Sequence, residues 1–263
     1  MKRIPDVVKY NQEAWNHEVA KGNIWTKPVA PEVIAAARAG QWELVLTPTK
    51  PVPQNWYPPI KGCEALCLAS GGGQQGPILA AAGARVTVYD NSPAQLAQDR
   101  MVAEREGLEI KLVQGDMQNL AELEDASFDF IFHPVSNVFA EDVNKVWREA
   151  YRVLRPGGVM LAGFVNPLMY LFDFDLFDQG EYKVCRTLPY SDLEQLPAAD
   201  LEKLIENHEP MEYGHTLEDQ IGGQLRAGFV LTGFYEDIDP QAPFSKHAPL
   251  FCATRAVKMA LKT

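Results

Sequence analysis

The residues with the clearest chemical use lie together in residues 65–90, ALCLASGGGQQGPILAAAGARVTVYD. Gly71, Gly72 and Gly73 break an apolar run, and Asp90 ends the next one. Backbone without Cβ atoms lets a ligand's sugar and tail lie against the end of a strand. A carboxylate closing the following strand can accept hydrogen bonds from both ribose hydroxyls, and Asp90 is placed for that. Gly71, Gly73 and Gly76 also satisfy G-x-G-x-x-G, a dinucleotide fingerprint that is weak when it stands alone. A second carboxylate turn follows at Gly115-Asp116-Met117. There Asp116 could accept from an exocyclic amino group while the Met117 N–H donates to a ring nitrogen, which together read adenine. A plain turn or cap carboxylate is the alternative. His133 follows another apolar run and is the first candidate base or orienting group. The competing reading is an imidazole that packs, with only its backbone carbonyl facing a ligand.

These groups need elements to hold them, and the apolar patterning supplies a doubly wound α/β arrangement. Residues 65–69 read as a buried strand, 77–82 as a helix ending at Gly83, and 86–90 as a second strand. Ser92, Pro93 and Gln95 form a helix start of the capping-box type, and Gly107 ends that helix. Strands are expected at 110–113, 128–132 and 159–164. Between the last two, a helix over 142–154 carries Val143, Val146, Trp147, Ala150 and Val153 near period 3.6. Arg155-Pro156-Gly157-Gly158 stops it.

The chain has 263 residues, with 46% hydrophobic and 22% charged, enough for one large α/β domain with an elaboration. Its net charge of −11 disfavours a nucleic-acid partner. Cys63, Cys67, Cys185 and Cys252 form no C-x-x-C pair and read as free thiols in a reducing compartment. With no signal core and no bilayer-length apolar stretch, a cytoplasmic protein without membrane contact is expected. The five histidines are scattered, so no metal is expected.

Four of these features carry a resemblance: LCLASGGG with Asp90, GDM at 115–117, SFDFIF at 127–132, and YRVLRPGG at 151–158. With a closing pair of strands, they make residues 63–256 resemble a class I S-adenosylmethionine-dependent methyltransferase of the small-molecule, methyltransferase type 11-like group. The resemblance implies a Rossmann-like seven-stranded sheet, mostly parallel, with its last strand antiparallel beside the fifth. It implies S-adenosylmethionine as cofactor, with methionine over Gly71 and Gly73, ribose on Asp90, and adenine between Asp116 and Met117. Ser70, Asn91, Gln95 and His133 complete the expected cofactor set. The family often has an acid where Cys67 stands and a glycine where Ala69 stands. The asparagine-proline-proline-aromatic motif of base-methylating relatives is absent, and His133-Pro134-Val135-Ser136 stands there.

Residues 1–60 are expected to form an N-terminal cap or collar, and 61–263 the methyltransferase domain with an insert or lid over 166–215. The aromatic and acidic residues of the insert, from Tyr170 to Tyr182, suit a cationic sulfonium or amine, or else form a solvated hairpin. Residues 191–207 are expected only to pack. Trp15, Trp25, Asn137, Asn166 and Tyr170 are the candidate substrate contacts, and His133 the candidate catalytic residue. Residues 216–227 are expected to be a helix with Leu217, Ile221 and Leu225 on its packed face. The expected activity is methyl transfer to a small molecule by a monomer or homodimer. The competing readings are a nicotinamide oxidoreductase and a non-catalytic S-adenosylmethionine-binding protein.

Overall fold

The computed structural model describes Ile4 and residues 6–260. Its first parallel strands are β1 (Glu64–Leu68), β2 (Arg85–Asp90) and β3 (Ile110–Gln114), then β4 (Phe128–His133) and β5 (Leu154–Val165). A two-stranded ribbon, β6 (Tyr190–Ser191) with β7 (Tyr213–Gly214), stands apart. The last pair is β8 (Val230–Asp237) and β9 (Phe251–Val257), and the seven-stranded sheet runs β3-β2-β1-β4-β5-β9-β8. Strand β9 is antiparallel to both β5 and β8. The topology therefore agrees with the seven-stranded expectation.

Helices α1 (Val7–Lys21) and α2 (Pro31–Arg38) precede the sheet, and α3 (Gln75–Ala81) and α4 (Pro93–Glu106) follow β1 and β2. Ser92 caps α4 by accepting from Gln95 N at 3.1 Å, but Gln95 does not close the box. Asp90 does, taking the Ser92 N–H at 2.9 Å. Helix α5 (Val143–Val153) buries Val143, Val146, Trp147, Ala150 and Val153, as its period requires. It ends at Val153 because the residue preceding Pro156 is pushed out of the helical region. The chain turns extended at once, and Leu154 already pairs with Phe128 across a bulge before Val159 joins Phe130. Strand β5 thus begins five residues before the expected position.

Residues 34–60 of the N-terminal segment pack into the same core as the sheet. Ile34, Leu44, Leu46, Val52, Trp56 and Ile60 are buried against β1 and β4, each such side chain contributing roughly 1.5–3 kcal/mol. The insert carries α6 (Phe174–Asp178), α7 (Asp192–Gln195) and α8 (Ala198–Glu206).

The segment before β8 corrects an expectation. It is a π-helical turn, Glu218–Gly222, running into α9 (Gly223–Ala227). Leu217 and Leu225 are exposed, while Gln220, Gly223 and Gln224 are buried. A Cβ on Gly223 would sit 2.7 Å from Trp147, so the packed face is the one that lets α5 approach. The polar side chains on that face are satisfied: Gln220 pairs with Asn137, and Gln224 accepts from Thr254 at 3.0 Å. Burial here follows hydrogen-bond partners and backbone approach, which a hydrophobic count does not register.

Candidate active site

A cavity of about 1400 Å³ opens at the carboxyl edge of the sheet and runs to the insert. Of the residues singled out from sequence, Ser70, Gly71, Asp90, Asn91, Asp116, Met117, Trp15, Trp25 and Tyr170 line it. Gly73, Gln95, His133, Asn137 and Asn166 are not among its lining residues.

Asp90 is anchored on both oxygens. Oδ2 accepts from Gly71 N and Oδ1 from Ser92 N, each at 2.9 Å. Each oxygen keeps a lone pair for a further donor. Burial pushes its carboxyl up to about 6, against the two N–H bonds that hold it down. Asp116 forms a local turn with Gln118, accepting from its N–H at 3.0 Å, and still faces the cavity with Met117.

The glycine turn is also shaped by protein neighbours. A Cβ on Gly71 would lie 2.7 Å from the Gln95 side chain and 3.0 Å from Asp90 Oδ2. On Gly72 it would meet the Trp25 carbonyl, and on Gly73 the Gln98 carbonyl, each at 2.9 Å. Gly73 and Gln95 therefore build the turn from beneath. Ala69 carries φ 46°, a left-handed conformation that costs a residue with a Cβ about 1–2 kcal/mol. Below the turn, Asp99 is fully buried and its Oδ2 accepts from Gly72 N at 3.0 Å. Burial pushes that carboxyl up to about 8, so it is mostly neutral at pH 7.

The N-terminal segment packs over this turn. Val29 N donates to Gly73 O at 2.9 Å, and Gln74 Nε2 donates to the Ile24 and Lys27 carbonyls at 3.0 Å. Asn91 Nδ2 donates to Val8 O at 2.8 Å, tying α1 to the end of β2. Gln74 and Gln75 also face the cavity, although nothing in the sequence marks them, because glutamine has no fixed place in a glycine turn.

His133 does not stand where a base is needed. Its ring is fully buried against Trp147, with Nδ1 2.9 Å from Leu68 O and Nε2 without a partner among the described residues. Burial pushes its pKa down to about 4. The neutral ring donates from Nδ1 to Leu68 and serves the junction of β1 and β4. Asn137 is also corrected: its buried amide exchanges hydrogen bonds with Gln220, and its carbonyl lies 3.1 Å from His215 Nε2. Asn166 is a helix cap, accepting from Leu168 N and donating to Pro249 O.

The far wall holds groups that sequence reasoning missed. Tyr170 donates to Glu212 Oε2 at 2.7 Å, and Tyr190 to Asp192 Oδ1 at 2.6 Å. Glu212 N donates to Asp192 Oδ2 at 2.6 Å. Residues 191–207 do more than pack, since Asp192, Gln195, Leu196, Pro197 and Asp200 line the cavity. No spacing in the sequence announces a contact between Tyr170 and Glu212, which lie 42 residues apart.

A methyltransferase-domain family model matches residues 66–162, from β1 into β5. Over 253 residues the chain is 54% identical to a Bacillus subtilis (strain 168) protein named uncharacterized methyltransferase YbaJ, covering 96% of this chain and 99% of that one. The chain belongs to the class I S-adenosylmethionine-dependent methyltransferase family. Solved structures agree in fold. An S-adenosylmethionine-dependent methyltransferase from Mesorhizobium loti superposes with a TM-score of 0.59 at 18% identity, over 77% of this chain and 94% of that one. One from Listeria monocytogenes, titled as putative, gives 0.58 at 15% identity, over 86% and 100%. In this methyltransferase the first-strand position often held by an acid is Cys67, fully buried between β2 and β4. Burial pushes its thiol well above the usual range, so Cys67 is an inert core residue.

Proposed function

We propose that this methyltransferase binds S-adenosylmethionine along the carboxyl edge and transfers its methyl group to a small molecule held against the insert. One observation supports the reading above the others: a single cavity joins Asp90, Asp116 and Met117 to the aromatic and acidic wall of the insert. Its volume of about 1400 Å³ exceeds the roughly 300–1,000 Å³ of ordinary ligand pockets, which fits two ligands side by side.

The residues suit the cofactor. Asp90 retains one acceptor site on each oxygen for the ribose hydroxyls, and the Asp116-Met117 turn presents a carboxylate and a backbone N–H to the base. Bound S-adenosylmethionine supplies a methyl group already activated by its sulfonium. The protein's own task is alignment and exclusion of water. Holding two reactants in attack geometry is worth roughly 7–11 kcal/mol. Trp15, packed edge-on against Phe139 at 5.2 Å, and Trp25 cover the cavity from the N-terminal segment, and residues 166–215 cover it from the other side. We assign the two segments the roles of cap and lid. No described helix is long and apolar enough to cross a membrane.

Calorimetry with S-adenosylhomocysteine and with NAD tests the reading. Heat with S-adenosylhomocysteine and none with NAD is expected. The reverse would return the glycine turn to dinucleotide binding. Transfer of radiolabel from the methyl donor to an acceptor separates turnover from passive binding.

A further inference from the structure

The wall of the cavity away from Asp90 and Asp116 is heavily acidic. Among the described residues that line the cavity, eleven carboxylate side chains face two cationic ones, Arg186 and Lys203. Acidity alone says little, since exposed carboxylates are solvated. Two further observations give it direction.

The first is that the aromatic part of this wall already holds a cation. The Arg186 guanidinium lies 3.8 Å from the Phe174 ring centroid and 5.7 Å from that of Tyr190. Tyr190 itself stacks on Tyr170 at 5.1 Å and 21°. Ring faces attract cations most where water is excluded, so this surface has the electronic character of a cation site.

The second is the hydrogen-bond state of the two central carboxylates. Asp192 has both oxygens engaged, by the Tyr190 hydroxyl and Glu212 N. Glu212 has only Oε2 engaged, by Tyr170. Its Oε1 takes part in no hydrogen bond among the described residues, and the side chain lines the cavity. Tyr170 is buried and Gly214 is packed against it, a Cβ there falling 2.7 Å from the ring. The Tyr170 hydroxyl therefore fixes Glu212 from a rigid base and leaves one oxygen turned to the ligand space.

Resting on the reading above, we propose that the methyl acceptor is an amine, bound as its ammonium ion by Glu212 Oε1, which takes the proton that frees the nitrogen lone pair. One proton passes from R–NH3+ to the carboxylate, leaving R–NH2 and a neutral Glu212. The nitrogen then forms a bond to the methyl carbon as the carbon–sulfur bond breaks, and that electron pair stays on sulfur. Tyr170 is a positioning residue for Glu212. Burial and the charges of Asp192 and Glu209 push the Glu212 carboxyl up to about 7, while the Tyr170 hydrogen bond holds it down. A carboxylate with that affinity for a proton is a stronger base than an exposed one. Burial raises the Asp192 carboxyl, and Arg186, on that side of the pair, offsets only part of the rise.

The test uses the full chain and three probes of one shape: phenethylamine, 2-phenylethanol and phenylacetate. Binding is read by calorimetry in the presence of saturating S-adenosylhomocysteine, without turnover. Phenethylamine is expected to bind at least tenfold tighter than either of the others, and its affinity to rise with pH through about 7 as Glu212 ionises. Glu212→Gln should abolish the preference and flatten the pH dependence. Tyr170→Phe should move the midpoint upward, because it removes a bond to the charged carboxylate, a shift that loss of packing alone does not produce. Equal binding of phenylacetate, or an unaltered amine preference in Glu212→Gln, overturns the proposal. Failure of the wild-type chain to bind S-adenosylhomocysteine sinks the donor reading instead, so the two failures are distinguishable. Retained S-adenosylhomocysteine affinity in Glu212→Gln shows that the variant is folded.

Discussion

The two ends of the cavity are built on different principles. At the cofactor end the polar groups come from strand ends and tight turns, and much of what they grip is backbone. Asp90 holds the N–H groups of Gly71 and Ser92, and Asp99 holds that of Gly72. At the insert end, side chains hold side chains over long sequence separations, as in Tyr170 with Glu212. The first design fixes one geometry for one ligand. The second leaves a carboxylate oxygen without a protein donor among the described residues, on an aromatic and acidic wall away from the sheet.

Four measurements would break or sharpen this contrast. The largest effect is expected for Asp90→Ala. Losing a charged acceptor for two hydroxyls should weaken S-adenosylhomocysteine binding about a hundredfold, roughly 2.7 kcal/mol. The wild-type affinity should fall as pH drops below about 6. There the protonated Asp90 carboxyl loses the charge that strengthens both bonds, and calorimetry across pH 6 would show it. Unchanged affinity in the variant would remove Asp90 from the donor site.

His133→Gln comes next, and its effect should fall on stability. The neutral ring makes a buried bond to Leu68 O, so denaturant unfolding should show a loss of about 1–3 kcal/mol, with S-adenosylhomocysteine affinity within a factor of about three. A base role would spare stability and abolish turnover instead. The depressed pKa also carries a sign: the unfolded chain binds the His133 proton more readily, so this residue's contribution is lost as pH falls from about 6.5 towards 4.

Asp99→Asn should give a smaller change, seen in its pH dependence. The folded carboxyl titrates near 8 against an ordinary value of 3.8, so the folded state binds the extra proton between them. Stability from this group is present at low pH and lost as pH rises through about 8. The asparagine variant should flatten that slope in thermal melts from pH 5 to 9. An unchanged slope would show that Asp99 is ionised under the turn.

The smallest effect is Ala69→Gly. Relief of about 1–2 kcal/mol of left-handed strain is offset by the roughly 0.5–1 kcal/mol entropic cost of glycine. A net gain under about 1 kcal/mol in chemical denaturation is expected. A loss would mean that the Ala69 methyl packs usefully despite its backbone.

The elements at the carboxyl edge were legible because their requirements are local. A glycine turn after an apolar run, an acid at the end of the next strand and a Pro-Gly-Gly stop after an amphipathic helix each fit within a few tens of residues. His133 misled because position at a strand's end fixes where the Cα lies and not where the imidazole aims. Asn137 and Asn166 misled similarly: their partners, Gln220 and the Pro249 carbonyl, lie 83 residues away. Leu217 and Leu225 misled because periodicity assumes that the apolar face packs, whereas α5 approaches over Gly223.

The sequence by itself determined most of the strands and helices and their order along the chain, since apolar period, glycine and proline act through the nearest neighbours in the chain, while the strand order of the sheet was implied by the family resemblance. Only the tertiary structure decided which polar side chains reach the cavity and which are spent on each other. That choice depends on the desolvation and pairing of groups far apart in sequence. It put Glu212 on the wall and withdrew His133 into the core.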